Sequence, residues 1–155
     1  MERIDIFEDV ARRTGGDIYI GVVGPVRTGK STFIRRLAEQ VILPNIEDEY
    51  EQARIRDELP QSGNGRTIMT VEPKFVPDEA IEITLGEGLT VRVRLVDSVG
   101  YAVEGALGYQ AEDGSPRMVR TPWFEGEIPF HDAAEIGTRK VIAEHSTIGL
   151  LVTTD

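Results

Sequence analysis

Residues 24–31 read Gly-Pro-Val-Arg-Thr-Gly-Lys-Ser, and no other stretch constrains the fold of this chain as tightly. Before them runs Ile18-Tyr19-Ile20-Gly21-Val22-Val23, which carries no charge. An unbroken apolar run of that length suits a strand buried on both faces, as in the middle of a parallel sheet. After them, Phe33, Ile34, Leu37, Ala38, Val41 and Ile42 recur at helical spacing, with Arg35, Arg36 and Glu39 on the other side. Pro44 stops that pattern. A buried strand that turns through a glycine-bounded loop into an amphipathic helix is an α/β element, and it fixes the fold class.

The loop fills every fixed position of G-x-x-x-x-G-K-[ST]. Each position has a physical reason. Glycine at both ends lets the backbone curl until successive N–H groups point inward at phosphate oxygens. The helix that starts at Lys30 adds the partial positive charge of its N-terminus. Lys30 reaches the β and γ phosphates, and the Ser31 hydroxyl is placed to hold Mg²⁺. The spacing therefore predicts a phosphate cradle made of Gly24, Pro25, Val26, Arg27, Thr28, Gly29, Lys30, Ser31 and Thr32.

Further along, Ile81, Ile83 and Leu85 alternate with Glu82 and Thr84, and Leu89, Val91, Val93 and Leu95 alternate with Thr90, Arg92 and Arg94. Period-2 alternation on both sides of Gly86-Glu87-Gly88 predicts a hairpin with one wetter face. Its second strand runs into Asp97-Ser98-Val99-Gly100. An acidic residue linked to Mg²⁺ belongs at such a strand end, with the Gly100 amide in reach of the γ-phosphate. A third part would be a threonine between the first helix and the hairpin, closing over metal and γ-phosphate. Thr67 and Thr70 both lie there, and Thr70 is the nearer to the hairpin. The expected metal ligands are Ser31, Thr70 and Asp97. By fold analogy, an antiparallel strand before the Asp strand is the order of the translation-factor and Ras-like branch of P-loop NTPases.

The rest of the chain reads more plainly. Residues 5–13 and 47–59 are expected as helices, 60–66 as a loop, 131–145 as a helix, and 148–152 as a second continuous apolar strand. The Gly- and Pro-rich stretch 100–130 reads as a long loop, with Trp123, Phe124 and Phe130 packed rather than stacked on a ligand. Arg54 and Arg56 fit a solvated helix face. The charge balance is −10, from 17 basic and 27 acidic residues, so nucleic acid is not an expected partner. There is no cysteine, and the two histidines, His131 and His145, do not make a metal cluster by themselves. No apolar run approaches the length that crosses a bilayer, and no secretory leader is expected.

GVVGPVRTGKSTFIRR, DELPQS, TIMTVEPKFVP, RLVDSVGY, TPWFEGEIPFHDAAEIGTRKVIAEHSTIG and the final LLVTTD together resemble the stage IV sporulation protein A family, the spore-coat morphogenetic ATPases of endospore-forming bacteria. The likeness runs the whole length, and the loop segments carry it more specifically than the P-loop does. It implies a domain related to translation-factor GTPases that hydrolyses ATP, with ATP and Mg²⁺ as cofactors. It further implies a protein that self-associates into a layer on the outer forespore surface, in the mother-cell cytoplasm. A small amphipathic membrane-binding protein would tether that layer, and spore-coat proteins would be recruited to it. Lys30, Asp97 and Thr70 match the family's phosphate-loop lysine, Mg²⁺ aspartate and sensing threonine, while Val71 stands where some relatives have a second threonine.

Residues 1–155 are thus expected to be the N-terminal part of an ATPase domain, with later strands and further domains following and the sheet cut at its C-terminal edge. No base-reading N-K-x-D segment is present, so adenine and guanine are not distinguished by these residues. A GTPase-type switch and a nucleotide-binding scaffold without hydrolysis remain open on the residues. Tyr101 follows Gly100 where Ras-like enzymes place a water-orienting Gln. Arg27, fourth in the loop, stands where cation-dependent relatives of this branch hold a monovalent cation. It would supply that charge in cis, which adds it to Lys30, Thr70 and Asp97 as a candidate for hydrolysis.

Overall fold

The computed structural model describes residues 14–60, 73–85, 88–100 and 111–154. The expected helix over 5–13, the loop 61–66, Thr67, Thr70, Val71 and Tyr101 lie outside them. The described chain is an α/β fold around a four-stranded sheet in the order β2-β3-β1-β6. β1 is Asp17–Val23, β2 Lys74–Leu85, β3 Leu89–Asp97 and β6 Ile148–Leu151. β1 pairs in parallel with β3 and β6, whereas β2 runs antiparallel to β3. The expected hairpin and the central place of the first apolar strand are both present.

Parity along the strands decides the layers. Ile18, Val22, Val91, Val93, Leu95, Val76, Ile81 and Ile83 face one side and form the main core with Ile34, Ala38, Ile42, Leu43, Ile55 and Leu59. Those helical residues come from α1 (Lys30–Leu37), its continuation as a π-helical turn over Ala38–Ile42, a 3₁₀ turn over Leu43–Asn45, and α2 (Glu49–Glu58). Pro44 has no N–H to give, so the chain leaves the helix there and turns into α2. The predicted stripe is present but narrower than expected. Ile34, Ala38 and Ile42 make its fully buried row, while Phe33 lies on the exposed flank. α2 starts at Asp48, whose side chain accepts the Tyr50 N–H at 2.9 Å, and it buries Ile55 on an otherwise solvated surface. Arg54 and Arg56 are exposed on it, as expected.

Three features depart from the sequence reading. β2 begins at Lys74, well before the alternation that starts at Ile81, with a register shift between Val76 and Ile81. Pro77 in this stretch lacks a ladder donor, which an edge strand tolerates. The Arg94 side chain donates to the carbonyls of Pro77 and Asp78 and so satisfies the irregular backbone. Next, residues 111–130 are not simply a loop. Met118–Arg120 (β4) and Glu127–Pro129 (β5) pair as a ribbon that leads directly into α3 (Phe130–Lys140). Strands of three residues carry too little alternation to be read. Finally, β6 is not buried on both faces. Among the described residues it sits at the sheet margin, Ile148 and Leu150 are half-buried, and Leu151 is 64% exposed.

Candidate nucleotide-binding site

The site is set by register. Val22, the penultimate residue of β1, lies opposite Asp97, the last residue of β3. Both parallel strands therefore end at the same height, and the two segments that follow them, Gly24–Gly29 and Ser98–Gly100, are forced together at the C-terminal end of the sheet. Such ends are where open α/β sheets present ligands. Gly29 caps α1 with φ 91° and no side-chain acceptor, so the first amides of the helix stay available to an anion. Gly24, at φ 151°, packs so close to the Val152 carbonyl that a side chain there would collide with backbone.

The Lys30 side chain folds back over the loop. Its Nζ donates to the Pro25 carbonyl at 3.0 Å, and the Thr28 Oγ1 donates to that same oxygen at 2.8 Å. Lys30 is buried, and burial pushes its ammonium below the usual lysine range, while the nearby Asp97 carboxylate opposes that push. Burial raises the Asp97 carboxyl to about 6, against the pull of Lys30 and then of Lys74, its register partner on β2. Each charge offsets only part of the other's desolvation. A site holding a buried ammonium and an underpaired carboxylate is suited to a polyanion that arrives with a cation.

Gly100 closes the arrangement. A Cβ there would stand 2.6 Å from Lys30 Nζ and 2.8 Å from the Val26 backbone, so only glycine lets this turn lie against the loop. Lys30, Asp97, Gly100 and residues 24–29 thus converge at this end of the sheet. Ser31 is half-buried in the first turn of α1, Thr32 is exposed beside it, and Arg27 is exposed with φ 61°. The donors fit Mg²⁺. The Ser31 hydroxyl and Asp97 carboxylate would be hard oxygen ligands, too few for a protein-only cage, and Mg²⁺ completes such a set with water and substrate phosphates. No group of three or more His, Cys, Asp or Glu side chains that could hold a metal alone occurs among the described residues.

Two contributors were not legible beforehand. Ser98 is buried, and its N–H and Oγ both donate to the Val22 carbonyl, at 3.3 and 3.0 Å, which pins the turn to β1. It occupies an unspecified position of D-x-x-G, where a pattern gives no signal. Lys74 faces Asp97 across the hairpin, and its Nζ donates to the Glu58 carbonyl at 2.8 Å. Only its rarity, as one of three lysines, marked it.

Residues 1–155 match the family described as "Stage IV sporulation protein A, ATPase domain". The chain is 66% identical over 155 residues to Stage IV sporulation protein A of Bacillus anthracis, covering 100% of this chain and 31% of that protein. It is 65% identical over 155 residues to the protein of the same name from Bacillus subtilis (strain 168), again covering 100% of this chain and 31% of the relative. With that of Clostridioides difficile (strain 630) it shares 60% over 151 residues, covering 97% and 30%. The chain therefore spans about a third of the length of these relatives. No solved structure shows a significant match. Among the described residues no helix is long and apolar enough to cross a membrane. The chain belongs to the stage IV sporulation protein A family, in its ATPase domain.

Proposed function

We propose that this domain binds ATP with Mg²⁺ and hydrolyses it, as the nucleotide-dependent part of a spore-coat basement-layer protein. The observation that carries the reading is the convergence of Lys30, Asp97 and Gly100 on the glycine-bounded loop at the C-terminal end of the sheet. The strand order β2-β3-β1-β6, with β2 alone antiparallel, supports placement in the translation-factor and Ras-like branch. In the longer protein, hydrolysis drives self-assembly into a layer on the outer forespore surface, on the cytoplasmic side of the mother cell. A small amphipathic membrane-binding protein anchors that layer, and it recruits coat proteins.

Each residue has a task in this scheme. The amides of residues 26–30 and the α1 N-terminus bind the phosphates, and Lys30 leaves the Pro25 carbonyl to pair with the β and γ oxygens. Ser31, Asp97 and Thr70 hold Mg²⁺, which when bound neutralises charge developing on the transferred phosphoryl group. The Gly100 amide and Thr70 sense the γ-phosphate. The experiment is phosphate release by the full-length protein, with ATP and with GTP, in the natural sequence and in Thr70→Ala. ATP is expected to turn over with little competition from GTP, and Thr70→Ala to bind ATP while turning it over slowly. Preferred turnover of GTP, or no turnover at all, would overturn the assignment, and a normal rate with normal assembly in Thr70→Ala would move the sensing role to Thr67 or remove it.

Arg27 is the in-cis cation of this proposal. Its left-handed backbone, φ 61°, is an uncommon conformation for a residue with a Cβ, and it leaves the guanidinium exposed at the mouth of the loop. Hydrolysis is expected to be alike in sodium and potassium, with Arg27→Asn reducing turnover more than affinity. Steady-state rates in the two salts check this, and strong potassium activation of the natural protein would refute it.

A further inference from the structure

The turn after β3 touches three different bodies with three successive residues. Ser98 is fixed to β1 through its two bonds to the Val22 carbonyl. Gly100 lies against Lys30 and Val26. Between them, Val99 packs into a second apolar cluster, distinct from the main core, made of Phe130, Ala133 and Ala134 of α3 with Val119 and Ile128 of the β4–β5 ribbon. The Phe130 N–H donates to the Arg117 carbonyl at 2.7 Å, which ties the start of the ribbon to the start of the helix.

Two physical points follow from that placement. A ribbon of two three-residue strands does not hold together by itself in water, so its order is borrowed from the half-buried Val119–Ile128 pair, which packs on the same α3 residues as Val99. Local stability of that kind responds to one gained or lost contact. The Ser98 anchor also acts as a pivot, because β1 lies inside the sheet with a neighbour on each side. A shift of Gly100 toward an arriving γ-phosphate is then taken up as rotation about Ser98, and rotation moves Val99 in the cluster.

We infer that the β4–β5 ribbon reports the state of the nucleotide site, with Val99 as the contact that links the two. This rests on the nucleotide reading above. It makes the outward side of the ribbon, where Met118 and Phe124 are about half exposed, the surface that differs between triphosphate and diphosphate forms. Coupling of this sort is reciprocal, so a change at the ribbon alters nucleotide affinity by the factor with which nucleotide alters the ribbon.

The test is hydrogen–deuterium exchange on the full-length protein, free, with Mg²⁺ and ADP, and with Mg²⁺ and a non-hydrolysable ATP analogue. Peptides covering 24–32 report binding, and peptides covering 118–129 report the inference. The loop is expected to be protected by both nucleotides, and the ribbon to exchange about fivefold or more slowly with the ATP analogue than with ADP. Val99→Ala should keep loop protection and lose the ribbon difference. Ile128→Ala, outside the loop and the Asp97–Gly100 turn, should lower the ratio of ATP-analogue to ADP affinity by up to that factor. A protected loop with identical ribbon rates in all three states overturns the inference and leaves the nucleotide site standing. An unprotected loop overturns the nucleotide site and the inference with it.

Discussion

Lys30→Ala is expected to weaken ATP binding by on the order of a hundredfold or more. The ammonium is the one basic group buried at the site among the described residues, and a charge-assisted bond to phosphate contributes roughly 1.5–3 kcal/mol. Losing the bonds to both the β and the γ phosphates reaches the hundredfold range, at about 1.4 kcal/mol per tenfold. Folding should survive. The Pro25 carbonyl keeps its bond from Thr28 Oγ1, so removal of Nζ does not orphan it. Asp97 loses the first of the charges that hold its carboxyl down, and it shifts further upward. Titration with a fluorescent ATP analogue, beside a thermal melt at pH 7, checks both parts. Unchanged affinity would remove the phosphate-site assignment.

What was legible in the sequence is what elementary physics writes in local pattern. Ile18–Val23 lacks charge because it crosses the middle of the sheet, and Gly24 and Gly29 stand where the backbone takes positive φ. Val91, Val93 and Leu95 alternate with Thr90, Arg92 and Arg94 because one face of β3 meets the main core and the other does not. Asp97 and Lys30 were readable separately, and the register of β1 with β3 brings them together.

The rest depends on contacts between distant segments. Leu151 belongs to an apolar run like that of β1, yet it is exposed because β6 has one described neighbour and β1 has two. Residues 74–76 precede the alternation that marks the hairpin in the sequence, and they join the strand by pairing with Leu95–Asp97 while Arg94 donates to the Pro77 carbonyl. Val119 and Ile128 stand in strands of three residues, too short to show an alternation, until the ribbon pairs them over Phe130. Ser98 and Val99 fill unspecified motif positions, yet one anchors the turn and the other packs it against the apolar residues of α3.

Asp97→Asn is expected to move stability and activity in opposite directions. In the natural chain the folded carboxyl titrates at about 6 against an ordinary value of 3.8, because burial disfavours its charge. The native state therefore holds a proton that the unfolded chain has released. The stabilisation this gives is fully present below about pH 4, and it is lost as pH rises through about 6. Above that, the folded chain carries a buried charge costing about 1–2 kcal/mol, after allowing for the solvent that still reaches the group. Asparagine has no charge to bury. In the absence of nucleotide and Mg²⁺, the variant should match the natural chain near pH 4 and exceed it by about that amount at pH 7–8. Comparing the two melts at each pH cancels the contribution of the other acidic residues in this −10 chain. Turnover of ATP should fall by on the order of a hundredfold or more, because an amide is a poor ligand for a hard divalent cation and brings no charge to it. A residue whose removal steadies the fold while abolishing turnover is placed there for the ligand rather than for the fold. Equal melting at pH 8 would mean that burial of the Asp97 charge costs the empty site nothing. Turnover at the natural rate would reduce Asp97 to the end of a strand.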